Sequence, residues 1–315
     1  MVEPTRITRR TAPDVRTALR EAMSRLRAKQ VPSHTLAAEL LLMHTLACDR
    51  TWLYTHPEAT LQADAAEKYF ALVLRRAAGE PTQYLTGKQE FWGLEFAVTP
   101  AVLIPRPETE HVVEVALARL GARGLQIRLD TGAPSARLRI ADVGTGSGCL
   151  AVALAHELPH ADIFATDISG AALEVARANA ARHRVSDRIH FLETDLLEAV
   201  SVDPRIRSSE SPFFDLIVSN PPYVAHDSAS LLAREVRDHE PHKALFGGPT
   251  GVEIYARLIE QAGSLLRPSG ILVLELGHTS AEHVRAILRA QSRWTNISIT
   301  NDLAGIPRVL AAVVV

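Results

Sequence analysis

Asn220, Pro221, Pro222 and Tyr223 place an amide side chain, two ring-locked residues and an aromatic ring directly after the apolar run Leu216-Ile217-Val218. The run reads as a strand buried on both faces, and open parallel sheets put their ligands beyond the ends of such strands. A proline confines the residue before it to extended backbone, so Asn220 and Pro221 are both held there, and neither proline has an N–H to compete for their carbonyls. The Asn220 side-chain oxygen and the Pro221 carbonyl can each accept a hydrogen bond from one planar –NH2 group, while Tyr223 lies against its flat face. That arrangement suits an amide or amino nitrogen. Alone, the same four residues also make an ordinary turn after a strand.

A glycine-rich turn, Gly144-Thr145-Gly146-Ser147-Gly148, ends an earlier apolar run and opens a helical pattern, so a ligand can lie against bare backbone at a helix N-terminus. A dinucleotide fingerprint would need glycine where Cys149 stands, and a P-loop would need a lysine. A nucleophile elbow would need glycines where Thr145 and Cys149 flank Ser147. The next run ends in Asp167, twenty-three residues beyond Gly144, where a carboxylate can accept both hydroxyls of a ribose. A third ends at Asp195-Leu196, an acceptor for an adenine amino group beside an apolar cover for its ring. Together these describe a nucleoside site without a phosphate requirement, with Asn220 bordering it on the fourth run.

Those residues need a frame. From residue 138 onward apolar runs alternate with helical patterns: LRIADV, Cys149 to Leu158, ADIFATD, Gly170 to Arg182, RIHFLE and FDLIVS. Such alternation implies a parallel sheet with helices on both faces. After a long loop at 224–250 come a helix from Val252 to Leu266, the strand ILVLEL, a helix from Ser280 to Ala290, and then NISIT and RVLAAVVV. The short connection between the last two makes them antiparallel to each other. Ahead of the sheet, Thr11 caps a helix carrying Val15, Leu19, Met23 and Leu26, Ser33 starts a second, and Asp49 to Tyr54 and Gln62 to Ala78 follow. The period turns strand-like from Lys88 to Leu103 around Gly93, a β-hairpin, and Pro107 opens another helix. The expected organisation is a helical bundle at 1–87, a hairpin linker at 88–107 and an α/β domain at 108–315.

With 47% hydrophobic and 22% charged residues, 315 in all, the chain has the makings of a globular protein with a sizeable core. A net charge of −2 argues against a protein that mainly grips nucleic-acid backbone. No apolar segment follows the basic N-terminus, and Leu36 to Cys48 is interrupted by Glu39 and His44, so a cytoplasmic location without membrane contact is expected. Cys48 and Cys149 lack metal-ligand spacing, and His239 and His242 lack a third ligand, so no metal is expected. With Glu235, Arg237 and Glu240, these histidines read as part of a mobile lid.

GTGSG, Asp167 and NPPY in this order resemble the class I S-adenosylmethionine-dependent methyltransferases that modify planar nitrogens. E-F-W-G at Glu90 to Gly93, I-P-R-P-E-T-E at Ile104 to Glu110, E-V-R-x-x-E-P at Glu235 to Pro241 and L-E-L-G at Leu274 to Gly277 extend the resemblance over nearly the whole chain. Together they are similar to the PrmC/HemK family of release-factor glutamine methyltransferases. The resemblance implies an N-terminal helical bundle that recognises the release factor, a hairpin linker, and a Rossmann-like domain with a seven-stranded sheet whose last strand is antiparallel. It implies methyl transfer from S-adenosyl-L-methionine to the side-chain amide nitrogen, N5, of the glutamine in the GGQ loop of class I peptide chain release factors. Carried over by motif, Gly144 to Gly148 hold the methionine and ribose part of the cofactor and Asp167 the ribose hydroxyls. Asn220, Pro221, Pro222 and Tyr223 hold the glutamine, with Asn220 and Pro221 as the catalytic pair.

Leu196 stands where many family members carry an aromatic residue, the loops at 121–137 and 200–212 are longer than usual, and Glu275 is left without a role. A ribosomal-protein glutamine methyltransferase is the nearest competing reading, separated mainly by I-P-R-P-E-T-E. An adenine-N6 DNA methyltransferase shares the turn but needs a basic groove, so no nucleic-acid substrate is expected. A binding module that keeps the fold without catalysis is opposed by the intact glycine loop, Asp167 and Asn220.

Overall fold

The computed structural model describes residues 12–122, 137–200 and 213–315. Thr11 and most of the two long loops, at 123–136 and 201–212, lie outside the described residues. By internal contacts the chain forms two units, one of Met1–Gly87 with Arg234–His239, the other of Lys88–Ala233 with Glu240–Val315.

The first unit contains α1 (Val15–Ala28), α2 (His34–Leu46), α3 (Arg50–Thr55), α4 (Ala63–Ala78) and α5 (Thr82–Thr86). Asp14, rather than the expected Thr11, caps α1: its Oδ1 accepts from the Thr17 N–H at 2.7 Å, a contribution of about 1 kcal/mol. Val15, Ala18, Ala22 and Leu26 recur at helical spacing and are fully buried, packed in one cluster with Leu41, Leu42, Tyr69 and Val73. α5 is too short to show a period and was not legible in the sequence; it starts behind Pro81 and stops at Gly87. The helix Arg234–His239 joins this unit, where Arg76 Nη2 donates to Glu235 Oε2 at 2.5 Å.

In the second unit β1 (Lys88–Phe91) and β2 (Leu94–Ala97) form the expected hairpin. Its two turn residues, Trp92 and Gly93, both have positive φ, 55° and 69°, as a type I′ connection demands. A 3-10 turn, Pro107–Thr109, leads into α6 (Glu110–Ala122). The main sheet consists of β3 (Arg139–Val143), β4 (Asp162–Asp167), β5 (Ile189–Glu193), β6 (Phe214–Ser219), β9 (Leu266–Glu275), β10 (Trp294–Asn301) and β11 (Pro307–Val314). The short β7 (Val224–Ala225) and β8 (Phe246–Gly248) pair with each other instead. Among the described residues the sheet has seven strands in the order β10-β11-β9-β6-β3-β4-β5, with β11 antiparallel to both its neighbours, β10 and β9. α7 (Cys149–Glu157) and α8 (Gly170–Arg182) connect the first three parallel strands.

Register matters most for function. Val143 pairs with Thr166 of β4 and with Ser219 of β6, and Asp167 pairs with Glu193, so four carboxyl ends finish level. The chain leaves β3 for β4 on one side and returns to β6 on the other, which makes the crevice between them a ligand site. The stretch expected as a long loop at 224–250 instead carries β7, β8, a 3-10 turn at His226–Leu231 and short helices, each too brief for periodicity to reveal. Among the described residues no helix is long and apolar enough to cross a membrane.

Candidate active site

Residues from four strand ends line a cavity of about 480 Å³ in the second unit. Gly144, Thr145, Gly146 and Ser147 follow β3, and the Gly144 and Thr145 N–H groups donate to Thr166 O at 2.9 and 2.8 Å, strapping the loop to β4. Gly144 and Gly146 have φ of 72° and 56°, a region that other residues enter only at a cost, and a Cβ at either would meet open space. Bare backbone therefore faces the cavity. Gly148 does not line it; a Cβ there would come within 3.1 Å of Ala176 Cβ, so this glycine serves loop-to-helix packing. Under the loop, buried Asp142 accepts through Oδ2 from Thr145 Oγ1 at 2.6 Å and Ala151 N at 3.0 Å, and burial pushes its carboxyl up to about 7.

Asp167 ends β4 and faces the same space. Its Oδ2 accepts from Gly146 N and its Oδ1 from Ser169 N, both at 2.9 Å, so each oxygen is oriented by one backbone donor and keeps a lone pair for a ligand hydroxyl. Burial raises its pKa against those bonds. Asp195 and Leu196 also line the cavity. The Asp195 carboxylate is already paired: Arg257 Nη2, from the helix Glu253–Leu265, lies 2.6 Å from Oδ2. Leu196 holds φ of 50°, a strained choice for a residue with a branched side chain. Ile168, half exposed beside Asp167, adds apolar wall that the sequence reading missed.

At the far end of the crevice Ser219 Oγ donates to Val143 O at 2.6 Å, pinning the end of β6 to β3 just before Asn220. Asn220 and Pro222 line the cavity; Pro221 and Tyr223 do not. Tyr223 borders a second cavity of about 220 Å³ with His278, Ser280 and His283, its ring packed on Gly277. Burial pushes the Tyr223 hydroxyl up to about 12. Gly247 lies so close to the turn that a Cβ there would stand 2.4 Å from Pro222 O. The turn is thereby fixed from outside as well as by its own rings.

Asn220 Nδ2 donates to Thr109 Oγ1 at 3.1 Å, which leaves Oδ1 as the end available to a ligand. Thr109 lines the cavity together with Val102, Leu103 and Pro105. That segment is anchored by Glu240, 4% exposed, whose carboxylate accepts from Arg106 Nη2 at 2.5 Å and Ile104 N at 3.3 Å. Of the residues expected in a lid, Glu235 is bonded to Arg76 and Glu240 to Arg106 and Ile104. His242, Lys243 and Phe246 complete the wall. Cys149 also borders the cavity, but burial pushes its thiol up to about 12, which keeps it protonated and unreactive. Among the described residues no group of three metal-ligating side chains comes together.

Residues 17–87 match the family model of the PrmC N-terminal domain, and residues 121–238 that of the methyltransferase small domain. A release factor glutamine methyltransferase of Koribacter versatilis is 45% identical over 293 residues, covering 93% of this chain and 96% of that protein. This chain belongs to the release factor glutamine methyltransferase family. Relatives of the same description in Moorella thermoacetica and Nitratidesulfovibrio vulgaris are 42% and 39% identical, and cover 95% and 93% of this chain and 98% and 93% of their own length. Among solved structures, the hMettl16 catalytic domain in complex with a MAT2A 3'UTR hairpin superposes with a TM-score of 0.53 at 18% identity, over 76% of this chain and 81% of that one. That is a likeness of fold alone.

Membership in this family makes S-adenosylmethionine the cofactor, and the site suits it. The open Cβ positions of Gly144 and Gly146 give room for a ligand against backbone, Asp167 has lone pairs to spare for ribose hydroxyls, and Ile168 and Leu196 offer apolar surface for a base.

Proposed function

We propose that this protein methylates the side-chain amide nitrogen of a glutamine, the one in the GGQ loop of class I peptide chain release factors, with S-adenosylmethionine as donor. The observation that carries this reading is the Asn220 amide, whose nitrogen is committed to Thr109 and whose oxygen is left at the cavity beside a rigid prolyl turn. It fits a donor –NH2 group, and the relatives named above carry the release factor in their own names. Gly144 to Ser147, Asp167, Asp195, Leu196 and Asn220 are the cofactor contacts in this reading, and the turn that begins at Asn220 holds the glutamine.

Bound here, S-adenosylmethionine supplies a sulfonium methyl that is already electrophilic. An amide nitrogen is a poor nucleophile because its lone pair is shared with the carbonyl, so the work left to the protein is placement. Asn220 Oδ1 and the Pro221 carbonyl accept the two amide hydrogens, fix the –NH2 plane and aim its face at the methyl group. Orientation of this kind contributes up to about 7–11 kcal/mol. With the cofactor bound, the same two acceptors would stabilise the positive charge that methyl transfer develops on nitrogen, the proton leaving to Asn220 or to water. In this reading the helical region, residues 1–87, recognises the release factor.

Incubation with labelled S-adenosylmethionine and three separate acceptors, release factor, ribosomal protein and DNA, tests the reading. Label is expected on release factor only. Label on ribosomal protein or on adenine, with release factor untouched, would replace it.

A further inference from the structure

Leu196 lines the main cavity with φ at 50°, a left-handed conformation that strains a branched side chain. Backbone of this kind persists only where its surroundings over-determine it. Both neighbours of Leu196 are held by one helix. The Leu197 N–H donates to Gln261 Oε1 at 2.9 Å, and the Asp195 carboxylate accepts through Oδ2 from Arg257 Nη2 at 2.6 Å. Arg257 and Gln261 stand four residues apart in the helix Glu253–Leu265, which sets them one above the other on the same face. The helix is a firm support, because its Tyr255, Leu258, Ile259 and Ala262 are fully buried.

Arg257 Nη2 also donates to Glu198 Oε1 at 3.1 Å. One guanidinium thus bridges two carboxylates that would otherwise repel each other. Asp195 and Arg257 both line the cavity, and with Oδ2 taken by the arginine, Oδ1 is the acceptor left for a ligand. The Arg257 side chain is 43% exposed and that of Asp195 36%. Ion pairs so open to water add little to stability, so the effect of this one belongs in what the cavity binds.

We propose that Arg257 and Gln261 are positioning residues for the adenine of S-adenosylmethionine: from one helix face they hold Asp195 as an oriented acceptor for the 6-amino group and Leu196 in its strained conformation as cover for the ring. The proposal rests on the placement of the cofactor at Asp195 and Leu196 in the reading above. An acceptor fixed in this way rejects a purine that carries oxygen at position 6, because two acceptors then face each other.

The test uses the full-length protein and calorimetric Kd values for S-adenosylmethionine, S-adenosylhomocysteine and the 6-oxo counterpart of the latter, S-inosylhomocysteine. Cofactor KM, kcat on release factor and melting temperature are measured in parallel. The wild-type protein should prefer S-adenosylhomocysteine to the 6-oxo form by about 10- to 100-fold, the span of one hydrogen bond to a charged group. Arg257→Met, which keeps the apolar stem, should weaken S-adenosylmethionine about 10-fold and reduce that preference to about 3-fold or less, with the loss in cofactor KM rather than in kcat. Gln261→Leu should weaken the cofactor too, and Gln261→Glu, which keeps an acceptor for the Leu197 N–H, should restore affinity. An Arg257→Met protein with wild-type affinity and undiminished preference overturns the proposal, as does a Gln261→Leu loss that Gln261→Glu fails to restore. So does a loss of affinity that merely follows a fall in melting temperature. Asp195→Ala separates the two readings: wild-type affinity in that variant overturns the adenine placement itself, whereas a loss there with none in Arg257→Met overturns the role of Arg257 alone.

Discussion

At the scale of single residues, Asn220 carries the account. Its importance was legible in the sequence because Pro221 and Pro222 restrict backbone in a way that no partner elsewhere has to supply. Thr109 was not legible as a working residue. Its hydroxyl acquires meaning from a bond to a side chain 111 positions away, and nothing in a threonine's type announces that. Arg257 lies inside an unremarkable helical pattern, so its ion pair with Asp195 was equally hidden. Replacing Asn220 by Ala removes an acceptor of the developing charge but none of the glycine-loop contacts. The expected result is a fall in kcat of about 10²–10³-fold with a nearly unchanged calorimetric Kd for S-adenosylmethionine; equal losses in both would move Asn220 from the acceptor end to the cofactor end.

Elements place those residues. The alternation of apolar runs and helical patterns foretold the parallel strands, since strands buried on both faces and full helical turns leave clear periods in sequence. The short pieces between 224 and 250 left none, and β8, with its Gly247 against the turn, was found only in three dimensions. β9 illustrates a cost of such placement, because it ends in a carboxylic acid inside the core. Burial first, and the charge of Glu108 after it, raise Glu275 to about 7 from an ordinary value near 4.5. A raised carboxyl favours the protonated form in the folded state. Its contribution is fully present below the unfolded pKa and is lost as pH rises through about 7, for a total of up to about 3 kcal/mol. Thermal melts should therefore show Glu275→Leu gaining stability relative to wild type between pH 5 and pH 8. A difference between the two that stays flat across that range would mean that Glu275 is ionised throughout.

Across the whole molecule, internal contacts group the chain into two units. Every residue lining the large cavity belongs to the sheet-containing unit, while the helical unit includes the separate segment Arg234–His239, held in part by Arg76 and Glu235. The change of period after residue 87 predicts a domain boundary there; by contacts the first unit comprises Met1–Gly87 with Arg234–His239. The return of 234–239 leaves no mark in the sequence, because membership in a unit is a matter of contacts, and a six-residue helix shows no period of its own. The division predicts that the sheet-containing unit supplies the chemistry and the helical unit the choice of protein substrate. The central claim remains one of atoms: a methyl group placed on an amide nitrogen held by Asn220. Fragment mass spectrometry of release factor after incubation with the wild-type protein and S-adenosylmethionine locates that methyl directly. The account predicts a single methyl on the side-chain nitrogen of the Gly-Gly-Gln glutamine, absent when Asn220→Ala protein is used. A methyl on any other atom, or the same glutamine modified at an undiminished rate by the variant, would contradict it.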